Sequence, residues 1–76
     1  MKTQKNSLVF SQIFEASILG TLAFKAGLKR APYYDTQLSK MFAGRKVGET
    51  PKGEAPTVAI LKAWTNAWDS ANLDNA

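Results

Sequence analysis

A chain of 76 residues with no cysteine and no histidine has to hold its fold together by apolar packing. No disulfide and no thiolate or imidazole metal site can staple it, and a domain this short buries only about 60% of the surface its unfolded chain exposes. Aliphatic and aromatic side chains must therefore sit in regular elements that interlock. Their spacing predicts helices and no sheet.

The first helix is read over residues 7–26. Phe10, Ile13, Phe14, Ile18, Leu22 and Ala26 recur in three- and four-residue steps, with Leu8 and Leu19 beside them, which predicts one apolar stripe turned to the core. Ser7 is positioned as an N-cap, and Gly27 can close the helix in the left-handed region. Pro32-Tyr33-Tyr34 reads as a turn, because proline turns Ala31 away from helix. Asp35 then caps a short helix to about residue 43, with Leu38, Met41 and Phe42 on its apolar face. Residues 44–56 hold three of the five glycines and two of the three prolines, which predicts a basic loop. A last helix is read over 57–72, capped by Thr57 or led by Pro56, with Val58, Leu61, Trp64, Trp68 and Ala71 on one face. The expectation is an all-α domain of three helices spanning 7–72, with a flexible start at 1–6 and a frayed end at 73–76.

A basic start followed by an apolar stretch has the order of a secretory signal. Gln12 and Glu15 interrupt the stretch, and Phe24 stands where a cleavage site needs a small residue. No run reaches about 18 uninterrupted apolar residues. The reading is cytoplasmic, with no membrane contact.

Charge is uneven. Residues 1–53 hold nine bases and three acids, a sum of +6, whereas residues 54–76 sum to −2. The bases cluster at the end of the first helix and around the loop, where a polyanion or an acidic protein face would be met. Lys25, Lys29 and Arg30 beside Tyr33 and Tyr34 combine cations with flat rings, which can hold phosphate and stack bases. Lys40, Phe42, Arg45 and Lys46 extend this candidate partner surface. Gly44-Arg45-Lys46-Val47-Gly48 lacks the spacing and the Gly-Lys-Ser/Thr ending of a phosphate loop. The acids form no pair on one buried face, and no histidine can activate a serine. No catalytic residue, metal, cofactor or small-molecule substrate is expected. Trp64 and Trp68, four apart, lie along one helix side. They read as core, or as a half-covered face that a second copy completes.

Gly20-Thr21-Leu22-Ala23-Phe24-Lys25-Ala26-Gly27, Pro32-Tyr33 and Trp64-Thr65-Asn66-Ala67-Trp68 together resemble the ribosome modulation factor family. That family has a Gly-x-x-Ala-x-x-Ala-Gly helix end, a Pro-Tyr turn and a Trp-x-x-x-Trp helix. It is small, basic and helical, and it pairs stationary-phase bacterial ribosomes into inactive particles. The resemblance implies contact with ribosomal RNA through Lys25, Lys29, Arg30 and Tyr33. The chain departs from the family in the roughly thirty residues between the turn and the tryptophans, in its lower arginine content, and in carrying Asn66 and Ala67 where the family has glycines. The residues themselves point equally to a small inhibitor of the kind that bacteriophages and mobile elements encode, which covers a site on a host protein or nucleoprotein complex.

Overall fold

The computed structural model describes residues 3–45 and 49–74, with side chains from Leu8 onward. Helix α1 runs Thr3–Lys25, a 3₁₀ turn covers Pro32–Tyr34, α2 is Thr36–Lys40 and α3 is Thr57–Asp74. The described residues are all-α and contain no strand. α1 starts four residues before the expected Ser7 cap, and Ser7 lies inside it. α2 ends sooner than expected, and a hydrogen-bonded turn carries the chain on from it: Met41 N–H donates to Leu38 C=O and Phe42 N–H to Ser39 C=O. α3 begins one residue after Pro56, whose carbonyl accepts from the amides of Ala59 and Ile60 at 3.0 and 3.1 Å. Pro56 thus stands at the cap position, and the Thr57 hydroxyl accepts from Arg45 instead.

α1 and α3 form the main interface of the molecule. The expected core stripe of α1 faces the wrong way for it. Phe10, Phe14, Ile18 and Leu22 are exposed, and the buried positions are Ala16, Gly20 and Ala23. The reason is how closely the two backbones approach. A Cβ placed on Gly20 would lie 2.2 Å from the Trp64 carbonyl oxygen and 3.1 Å from the Ala67 Cβ. Helices this close leave no room for phenylalanine between them, so small residues take the seam. Only Ile13 of the expected stripe, with Val9 and Leu19, packs against the core cluster of Ala16, Ala23, Leu38, Ala55, Ile60 and Trp64. On α3, Val58 is likewise exposed, while Ile60 and Trp64 are fully buried.

Gly20 therefore sets the helix separation. Alanine there gains about 1 kcal/mol of helix propensity but forces a contact with backbone that cannot swing aside. Gly20→Ala is expected to lower stability by roughly 1–3 kcal/mol in thermal melts, as overpacking does.

α1 also satisfies the length and composition of a membrane span, with a mean hydropathy of 1.3 over Leu8–Lys25. Gln12 in that window is bonded to the rest of the chain. Its amide oxygen accepts from Ala55 N–H at 2.6 Å and its Nε2 donates to Glu54 Oε1 at 3.0 Å. Part of the expected structureless loop is thereby docked on α1. Arg45 closes it from the other side, donating to Thr57 Oγ1 at 2.8 Å and Glu54 Oε1 at 2.9 Å.

Candidate partner-binding surface

The surface is built where α1 ends. Gly27 has φ +82, Leu28 N–H donates to Ala23 C=O and Gly27 N–H to Phe24 C=O. That pair of bonds closes the last turn and redirects the chain across α3. Three contacts then pin residues 28–35 to α3. Trp68 Nε1 donates to Leu28 C=O at 3.0 Å. Arg30 meets Asp69 through two bonds of 2.6 and 2.9 Å. Trp64 Nε1 donates to Asp35 Oδ2 at 2.8 Å.

Asp35 is the hub. Its Oδ1 accepts from the amides of Gln37 and Leu38, which is the capping role its position predicts. Its second oxygen holds the buried Trp64 indole, so one carboxylate joins the turn, α2 and α3. Trp64 and Trp68 are not equivalent. Trp64 is wholly covered within the chain and is not open to a second copy, whereas Trp68 is half-buried with its indole edge-on to Phe24 at 5.3 Å.

On this pinned frame Tyr33 and Tyr34 stand 76% and 79% exposed. Beside them a groove of about 430 Å³ is lined by Leu28, Lys29, Ala31 and Tyr34, with Asp35 and Trp64 beneath. Lys25 and Lys29 are exposed and have no ion-pair partner among the described residues. Arg30 is exposed too, but its charge is answered by Asp69.

The remaining expected contact residues divide. Lys40 is exposed on α2. Phe42 is half-buried against the core, and the Arg45 guanidinium lies 5.9 Å from its ring centre. Arg45 is a structural residue rather than a contact: its side chain is only 5% exposed and bonded on two sides. A guanidinium in a Gly/Pro loop reads as solvated, and no local signal announces a carboxylate nine residues on that folds back to it. Lys46 lies outside the described residues. Among the described residues no group of three or more carboxylates could hold a metal ion.

The ion pairs respond to acid. Bonds from Gln12 and then Arg45 hold the Glu54 carboxyl below its ordinary range. The Arg30 hydrogen bond does the same for Asp69, which in turn raises Arg30. A carboxylate whose pKa is lowered on folding adds stability above its unfolded pKa and loses it as pH falls through that range. The melting temperature should hold steady above about pH 5 and drop below about pH 4, near the ordinary carboxylate pKa. In a Glu54→Gln/Asp69→Asn variant the drop should be smaller.

Comparison with protein-family models, with curated proteins and with solved structures finds no match.

Proposed function

We propose that this chain is a non-enzymatic binding protein that acts by covering a site on a larger bacterial assembly, and that the Pro32–Tyr34 turn is its point of contact. The observation that carries the reading is the pair of tyrosines. Two adjacent aromatic rings, each about three-quarters exposed, sit on a turn fixed by the Asp35–Trp64, Arg30–Asp69 and Leu28–Trp68 bonds. Exposed aromatics on a rigid frame lose little freedom on binding, and tyrosine is enriched where binding energy concentrates. The groove beside Tyr34 gives a partner side chain or base a place to enter.

The partner is a host protein or a nucleoprotein complex, as for an inhibitor of the phage or mobile-element kind. A second reading, ribosomal RNA as the surface covered, is favoured by Lys25 and Lys29. Both are exposed without an ion-pair partner among the described residues, Lys29 lines the groove beside Tyr34, and the ribosome modulation factor resemblance implies RNA contact through both.

Salt separates the two. Contact with phosphates gives an affinity that falls steeply and linearly in log salt, whereas a protein contact tolerates moderate salt. Ribosome cosedimentation of Lys25→Glu/Lys29→Glu over a salt series reads this. Arg30 is left intact because its substitution would also release Asp69. Full cosedimentation of that variant would remove RNA from consideration.

A further inference from the structure

We infer that the outward face of α1 is where a second copy of this chain docks, antiparallel, through Phe10, Phe14, Ile18 and Leu22. These side chains are 71%, 67%, 44% and 53% exposed. They follow one another at a constant step of four along a helix whose opposite face is already committed to α3. A row at i, i+4, i+8 and i+12 is the ridge that two helices interleave when they cross at about −50°.

The row is complementary to itself. With a two-fold axis midway between Phe14 and Ile18, Phe10 meets Leu22 of the second copy and Phe14 meets its Ile18, so each ring packs on an aliphatic chain. A shallow depression bounded by Phe14, Ile18 and Leu22, with Ser17 and Thr21, receives the knob. The ionisable residues of α1 are Lys5, Glu15 and Lys25, and this register sets those positions opposite Gly27, Ser17 and Ser7.

The area is sufficient for a modest dimer. At roughly 150–250 Å² per fully exposed large side chain, the row leaves on the order of 500 Å² uncovered per copy, so complete coverage buries about 1,000 Å² for the pair, below the roughly 1,200 Å² of stable interfaces and in the range of weak ones. A lipid surface fits less well. Helices that lie on membranes carry many Lys and Arg along their polar face, and α1 has only Lys5 and Lys25.

Sedimentation equilibrium of the full chain from about 10 to 500 μM, the range where a small interface associates, tests the assignment. The weight-average mass of the wild-type chain should rise from 8.3 kDa toward twice that value. Phe14→Glu and Ile18→Lys should each stay at the monomer mass with unchanged far-UV circular dichroism, since both positions are exposed. Mixing the two variants should restore association, because the antiparallel register brings the new charges together and a parallel one does not. If either variant loses helix, Phe10→Glu with Leu22→Lys repeats the test at the ends of the row. A wild-type chain that stays monomeric at the highest concentration overturns the inference, as do single variants that associate like wild type. Separate variants that are monomeric but also fail to associate when mixed overturn the antiparallel register. Flotation of a monomeric wild-type chain with phosphatidylglycerol vesicles would make lipid the occupant.

Discussion

Trp64→Ala is expected to remove a large share of the molecule's stability, costing about 3–5 kcal/mol, the range for emptying a fully buried aromatic site. A domain of this size has roughly 4–11 kcal/mol in all, so the variant should melt well below the wild-type chain. The indole is the largest side chain with no exposed surface. Its backbone forms the seam with Gly20, and its Nε1 is the donor that Asp35 accepts. The ring shares its core with Leu38 and Ile60, so its loss empties the centre of the packing. Trp68→Ala should cost distinctly less, since that ring is half-exposed. Chemical denaturation of the two variants side by side checks the ranking, and equal losses would contradict it.

The second large effect is expected at Asp35. Asp35→Ala removes the cap of α2, worth about 1 kcal/mol, and leaves the buried Trp64 N–H without an acceptor, worth about 1–3 kcal/mol. The combined loss should be about 2–4 kcal/mol in urea melts. Asp35→Asn separates the two roles. Its carbonyl oxygen can still accept from Gln37 and Leu38, but its amide nitrogen then faces the indole donor. An asparagine variant as stable as the wild-type chain would show that the indole bond contributes little. The substitution should also loosen the Tyr33–Tyr34 turn, which hydrogen exchange at the amides of residues 33–38 would read.

Much of this architecture is legible in the residues. Three-and-four spacing marks α1 and α3, Gly27 and Pro32 mark the break, and Asp35 is recognisable as a cap because a short acceptor before a helix can reach its free amides. The orientation of α1 is not legible. The helix is apolar on two sides, and weighing residues by size picks Phe10 and Phe14 for the interior. Ala16, Gly20 and Ala23 win because close backbone approach decides this seam. In the same way Gln12 reads as an interruption of an apolar run, yet it is the residue that holds Ala55 and Glu54.

The candidate surface was legible in part. Tyr33 and Tyr34 lie exposed on the turn, Lys29 lines the groove beside it, and Lys25 is exposed at the end of α1. Arg45 and Phe42 turn inward, because their partners Glu54 and the core come from parts of the chain that no local pattern connects. The bond from Trp64 to Asp35 spans 29 positions and has no sequence signature at all.

Binding is proposed to rest on the two exposed tyrosines and not on the body they stand on. Capture from bacterial lysate, with and without nuclease, using the wild-type chain and a Tyr33→Ala/Tyr34→Ala variant, tests it most directly. The wild-type chain is expected to retain a stoichiometric target that the variant loses, while the variant's melting temperature stays within a few degrees because both rings are already in solvent. A variant that keeps its target with undiminished affinity would contradict it.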